Sequence, residues 1–368
     1  MKVSFVGYKI QYQNLKEEID SAIHRVLENG DLILRQDVED FEKTLADFVG
    51  AKYAVSLNSG TDALFLTLKA LGICEGDEVI TVSHTFVASI STIVQSGAKP
   101  VLIEVGEDFV MDTNELEKAI TSKTKAIIPV YLNGRMCNMD EVMDIAKKHN
   151  LYVIEDSAQA LGASFNGKKA GSIGITGCFS FYPAKILGCY GDGGAITTNN
   201  FEIAQKIILL RDHGQKTKTD IACFGWNSRL DNLQAGILNV RIKYLSQWIE
   251  RRRKIADMYN KGLLNIKGVE LPPSTNSDER YYDVFQNYVL RVKNRDKLFN
   301  FLKDKGVETL IKDPIPNHWH KGLNLSHFKL EFSEQLAKEV ISLPIYPELT
   351  NEQVNYTISC VKEFFLSR

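Results

Sequence analysis

Between residues 50 and 200, apolar runs of four or five residues alternate with stretches whose apolar positions recur every three or four residues. Tyr53-Ala-Val-Ser-Leu57 reads as a strand, and Leu64, Leu68 and Leu71 mark a helix behind it. Glu78–Val82, Val101–Glu104, Ala126–Val130 and Tyr152–Glu155 continue the strand series, with helical spacing over Thr113–Ile120 and Met139–His149. Strands this short and this continuously apolar are buried on both faces, which predicts an α/β fold with a mostly parallel sheet covered by helices. Such sheets bind ligands beyond the carboxyl ends of their strands. Asn58–Thr61, Ser83–Phe86, Tyr131–Arg135 and Asp156–Gln159 are therefore expected around one crevice.

Leu230–Leu264 reads as a long helical region, with Leu233, Ile237, Val240, Ile242, Leu245 and Ile249 set among Arg and Lys. A polar, proline-bearing stretch follows over Gly268–Tyr282. A second alternating unit then runs from Tyr288–Val292 through helices over Arg295–Lys305 and Asn351–Phe365. This pattern predicts two domains, residues 1–245 and 246–368.

Composition narrows the classes. With 44% apolar and 24% charged residues the chain is an ordinary globular one, and a net charge of -2 gives no electrostatic case for nucleic acid. No stretch reaches the roughly 18 apolar residues of a membrane span, and the N-terminal apolar run is too short for a signal peptide. The six cysteines are scattered without a Cys-x-x-Cys pair, and no helical His-Glu-x-x-His spacing occurs. Reduced thiols in a cytoplasmic protein are expected, and no metal site.

The candidate chemistry centres on Lys185, in Phe179-Ser-Phe-Tyr-Pro-Ala-Lys185, just before a glycine-dense turn. A confined lysine amine loses solvation, which lowers its pKa and makes it a nucleophile. Asp156 ends an apolar strand 29 positions upstream. A carboxylate at a strand end and a lysine one crossover later suit a Schiff-base cofactor whose ring nitrogen needs a counter-ion. Asn58-Ser-Gly-Thr-Asp62 sits where a strand turns into a helix, so the amides of Gly60 and Thr61 can face an anion, although capping is the commoner use of such a turn. Ser180 can add a hydroxyl there, Phe86 can lie against a flat ring, and Gln159 can bond a ring substituent.

Ser59-Gly60-Thr61, Thr85-Phe86-Val87-Ala88, Glu155-Asp156-Ser-Ala-Gln159, Phe179-Ser180-Phe181 with Lys185, Gly193-Gly194 and Asn227-Ser-Arg-Leu-Asp-Asn-Leu-Gln234 together resemble, in order and spacing, the DegT/DnrJ/StrS-type sugar aminotransferases. The resemblance runs nearly end to end. It implies the aspartate-aminotransferase fold, with a seven-stranded sheet in a large domain and a smaller C-terminal α/β domain. It also implies pyridoxal 5'-phosphate held by Lys185 as a Schiff base, with Asp156 on the ring nitrogen. Gln159 would contact the ring's phenolic oxygen, Phe86 would stack on the ring, and Gly60, Thr61 and Ser180 would hold the phosphate. The equivalent of Asn227 reaches a neighbouring subunit's cofactor and that of Arg229 its substrate, which implies a homodimer with shared sites. The implied reaction moves an amino group from L-glutamate to a keto-sugar. The motifs are closest to those of C3 aminotransferases of UDP- or dTDP-linked sugars, enzymes of amino-sugar synthesis for surface polysaccharide (lipopolysaccharide, O-antigen) or a glycosylated product. A free or phosphorylated keto-polyol as acceptor, or a non-catalytic regulator of the same fold, are the other readings.

The chain departs from the family pattern where the substrate lies. Arg35 and Gln36 replace Gly and Pro of an Ile-Leu-Gly-Pro-Glu-Val stretch, Asn133-Gly-Arg135 replaces Tyr-Gly-Gln, and Lys312-Asp313 stands where His-Tyr is common. Arg35, Arg135 and Lys312 are expected to add positive charge to the sugar end of the crevice, suiting an acidic sugar such as a hexuronic acid or a sugar phosphate.

Overall fold

The structure is a computed structural model and describes residues 1–366. Seven strands form the central sheet: β1 (Tyr53–Leu57), β2 (Glu78–Val82), β3 (Lys99–Ile103), β4 (Thr124–Ile127), β5 (Tyr152–Asp156), β6 (Thr176–Ser180) and β7 (Gly194–Thr198). Their order is β1-β7-β6-β5-β4-β2-β3. Neighbours from β6 to β3 run parallel, and β7 alone lies antiparallel to both of its neighbours. Every residue of β2 and β7 is buried, because core packs on both sheet faces, which is why the strands lack polar alternation.

The antiparallel strand positions the site. An antiparallel neighbour needs no crossover helix, so the loop from Phe181 to Gly193 stays at the carboxyl end of β6 and carries Lys185 there. Where that loop re-enters the sheet, a Cβ on Gly194 would lie 2.2 Å from the carbonyl carbon of Ser59, so only glycine permits the approach.

Three elements differ from the sequence reading. β4 stops at Ile127, two residues before Pro129, which has no N–H for a ladder. Thr113–Ile120 is one α-turn over Thr113–Leu116 and a 3-10 turn over Glu117–Ala119. The region Leu230–Leu264 divides into helices Asn232–Arg241 and Leu245–Leu263, joined by the 3-10 turn Ile242–Tyr244.

A second, smaller core packs around strands Val269–Glu270, Tyr288–Val292 and Val340–Leu343. Helix Leu245–Leu263 serves both cores: Leu245, Trp248 and Ile249 join the larger one, and Ile255, Ala256, Tyr259 and Leu263 the smaller. The chain's first residues also go with the smaller unit, through a parallel bridge of Val3 to Val307. That bridge brings Phe5–Tyr8 to the mouth of the crevice. Among the described residues no helix is long and apolar enough to cross a membrane. Nor does any group of three or more His, Cys, Asp or Glu side chains there offer a metal site.

Candidate active site

A cavity of about 570 Å³ opens at the carboxyl ends of the strands. Ser59, Gly60 and Thr61 follow β1, Thr85 and Phe86 follow β2, Asp156 and Gln159 close β5, and Ser180 and Lys185 close β6. The smaller unit adds Gln286, Asn287, Lys312, Tyr346 and Glu348.

One end is built for an anion. Ser59 caps the helix Gly60–Ala70 by accepting from the Asp62 amide at 3.0 Å. The amides of Gly60 and Thr61 fall in the first turn, where a helix offers them no acceptor and its dipole is positive. Gly60 backs directly on Ser180: a Cβ there would lie 2.7 Å from the serine's own Cβ. The missing side chain brings two amides and one hydroxyl onto a single spot.

Asp156 stands at another end, only 6% exposed. Ser89 donates its hydroxyl to Oδ2 at 2.7 Å, the Ala158 amide approaches Oδ1 at 3.3 Å, and the Thr85 hydroxyl lies 2.9 Å from that of Ser89. Burial pushes the carboxyl above its ordinary pKa, against the pull of these donors and of the ammonium groups of Lys185 and Lys312. Such a carboxylate is best satisfied by a cationic partner in the cavity. Phe86, 55% exposed, offers its ring there. Gln159 accepts through Oε1 from the Asn133 amide at 2.9 Å and Asn287 Nδ2 at 3.2 Å. Its Nε2 remains a donor without a protein partner among the described residues.

Lys185 is held by its backbone. Gln286, 100 positions away, accepts from the Ile186 amide at 2.9 Å and donates to the Ala184 carbonyl at 2.8 Å, bracketing the lysine on both sides. Burial, reinforced by the charge of Lys312, lowers the Lys185 pKa to about 7, while Asp156 and Asp313 act the other way. A large share of this amine is then unprotonated at neutral pH and nucleophilic.

These groups fit pyridoxal 5'-phosphate in each of its parts. The amides and Ser180 suit its phosphate, Asp156 its ring nitrogen, the Gln159 amide its phenolic oxygen, Phe86 its ring and Lys185 its aldehyde.

The structure thus brings Gly60, Thr61, Phe86, Asp156, Gln159, Ser180, Lys185 and Lys312 together. Asn227 and Arg229 do not line the cavity of their own chain: Asn227 is exposed and bridges Asp212, and Arg229 pairs with Asp212 at 2.8 Å. Of the three basic residues expected at the sugar end, Lys312 lines this cavity, and Arg35 and Arg135 lie outside its lining. Arg135 is committed to Asp283 at 2.7 Å and Asp108 at 3.3 Å, with its guanidinium carbon 3.8 Å from the centre of the Tyr281 ring. Arg35 is exposed and pairs with Asp31 at 3.4 Å. Ser89, Gln286 and Asn287 were not singled out from sequence. For the last two, a polar pair at the head of the apolar strand Tyr288–Val292 was the available signal.

Comparison with known proteins agrees with this geometry. The model of the DegT/DnrJ/EryC1/StrS aminotransferase family matches residues 13–362. The chain is 41% identical to a pleiotropic regulatory protein of Geobacillus stearothermophilus, over 99% of each chain. It is 39% identical to a dTDP-3-amino-3,4,6-trideoxy-alpha-D-glucose transaminase of Streptomyces venezuelae, over 99% of this chain and 96% of the relative. It is 40% identical to a UDP-2-acetamido-2-deoxy-3-oxo-D-glucuronate aminotransferase of Pseudomonas aeruginosa, over 96% and 97%. The solved structure of Streptomyces venezuelae DesV superposes with a TM-score of 0.95 at 39% identity, covering 99% of this chain and 98% of the other. A Bacillus subtilis protein solved with bound cofactor PMP superposes at 0.92 with 32% identity, covering 99% and 85%. The cavity and the end-to-end match lead to one conclusion: the chain belongs to the DegT/DnrJ/EryC1/StrS aminotransferase family and is a transaminase dependent on pyridoxal 5'-phosphate.

Proposed function

We propose that this enzyme moves the amino group of L-glutamate to the keto carbon of a nucleotide-linked hexose, at C3 of a UDP- or dTDP-sugar, as a homodimer with shared sites. The observation that carries the reading is the convergence of Lys185, Asp156 and the Gly60–Thr61–Ser180 anion site on one cavity. The names of the Streptomyces and Pseudomonas relatives, with a 3-amino and a 3-oxo sugar on dTDP and UDP, support the acceptor class. Of the basic residues expected at the sugar end, Lys312 is the one that lines the cavity.

When bound, pyridoxal 5'-phosphate supplies an electron sink for the carbon that must lose a proton. Asp156, oriented by the Ser89 hydroxyl and the Ala158 amide, would hold the proton of the ring nitrogen in place. Lys185 anchors the cofactor through Nζ. When free, the same Nζ would take the proton from the donor's α-carbon, and its lowered pKa suits a base working near neutrality. For the keto-sugar the proton moves the other way.

The dimer reading draws on the loop ahead of Asn227, where Ile221 is 68% and Phe224 98% exposed. Exposed apolar groups of this size mark contact surfaces. Incubation with L-glutamate and a panel of keto nucleotide sugars, read by mass spectrometry, tests the function. A 3-keto UDP- or dTDP-hexose should gain an amine, and Lys185→Ala should be inert. Failure across that panel with turnover of a phosphorylated ketose would transfer the reading to that acceptor class.

A further inference from the structure

Lys312 lies in the cavity wall, within the fields of Asp313 and Asp156 but paired directly with neither. It lines the same cavity as Lys185 and Asp156, yet no hydrogen-bond acceptor or ion-pair partner meets its Nζ among the described residues. Its sequence neighbour Asp313 forms no ion pair with it. The other cation lining this cavity outside the lysine loop, Arg252, turns its Nη1 to the protein, donating to the carbonyls of Phe285, Gln286 and Ile345 at 3.1, 3.2 and 2.9 Å. A half-buried cation left without a partner is costly unless a ligand supplies the anion.

The reaction itself specifies that anion. An amino-acid donor carries its carboxylate on the same carbon that carries the reacting nitrogen. When that nitrogen takes the place of the Lys185 amine, the carboxylate must lie one carbon away, inside the cavity that Lys312 lines. The nucleotide-linked acceptor carries its diphosphate on C1 and not on the reacting carbon, whereas the donor always carries its carboxylate on that carbon. We propose that Lys312 receives the α-carboxylate of the amino-acid donor and so selects amino acids over simple amines. This inference rests on the transaminase reading above. Burial lowers the pKa of Lys312, and its charge is felt at both Lys185 and Asp156, in keeping with a place beside the reacting atoms.

The two half-reactions separate the possibilities. Holoenzyme is titrated with L-glutamate while the cofactor absorbance is followed, and the aminated form is then titrated with the keto-sugar. Lys312→Met should weaken the donor step about ten- to hundredfold, the size of one lost charge-assisted contact. The acceptor step should suffer much less, and Lys312→Arg should recover most of the donor affinity. Calorimetric binding of 2-methylglutamate, which has no α-proton to lose, should weaken in parallel without any turnover. Lys312→Met that melts like wild type and takes up one equivalent of pyridoxal 5'-phosphate per chain shows the site intact. Equal donor affinity in the variant overturns the proposal, as does a defect confined to the keto-sugar step, which would assign Lys312 to a sugar anion instead. Wild-type enzyme that no amino acid can convert would instead bring down the transaminase reading itself.

Discussion

Lys185 owes its reactivity to neighbours supplied by distant parts of the chain. A lysine with a pKa of about 7 is neutral above that pH, and only the neutral amine condenses with an aldehyde. Capture of pyridoxal 5'-phosphate by apo-enzyme should therefore accelerate as pH rises through about 7 and level off above. An ordinary lysine would keep accelerating towards about 10.4. Stopped-flow absorbance across that range decides, and a rate still climbing at about pH 9 contradicts the assignment. Lys312 depresses the Lys185 pKa, so Lys312→Met should move the inflection upward. Ser89 is the matching case for Asp156. Losing its 2.7 Å hydrogen bond favours the protonated carboxyl, and at about 1.5–3 kcal/mol for a bond to a charged group the cofactor should bind at least tenfold more weakly in Ser89→Ala. Fluorescence titration showing wild-type affinity would rule out this supporting role.

At the scale of elements, two close approaches shape the anion site, and they differ in what can yield. In Gly60→Ala the new Cβ meets the Ser180 side chain at 2.7 Å, so the helix end must move off the strand end. The fold should survive with phosphate affinity reduced about tenfold or more, as measured by cofactor titration beside a thermal melt. In Gly194→Ala the Cβ meets Ser59 backbone at 2.2 and 2.3 Å, inside the pairing of β1 with β7, where nothing flexible can give way. That variant should lose about 3 kcal/mol or more and yield little soluble protein. A Gly194→Ala protein melting like wild type would show that the strand pair can shift.

For the whole molecule the question is what completes the site. Asn227 and Arg229 lie outside the cavity of their own chain, next to a loop that exposes Phe224. If Asn227 serves a neighbour's site, Lys185→Ala and Asn227→Ala chains, each inactive alone, should regain activity when refolded together, because a mixed dimer holds one intact site. Light scattering should give twice the mass of the chain. A mixture that stays inactive while forming dimers would place Asn227 outside the shared site.

The sequence by itself determined the alternation of buried strands and helices, the crevice at the strand ends, and the chemical identity of Lys185, Asp156, Gly60 and Ser180. Each of these follows from local periodicity or residue type, which survive folding unchanged. It was silent on Gln286 bracketing Lys185, on Ser89 supporting Asp156, and on Val3 joining the smaller core, since those partners meet only through packing across 100, 67 and more residues. It did not separate Lys312 from Arg35 and Arg135. A sequence shows that a charge exists, but whether that charge is free depends on what folding places opposite it. Asp283, 148 positions away, occupies Arg135, whereas among the described residues no hydrogen bond or ion pair holds Lys312. The tertiary structure alone decided which of the three basic residues lines the cavity.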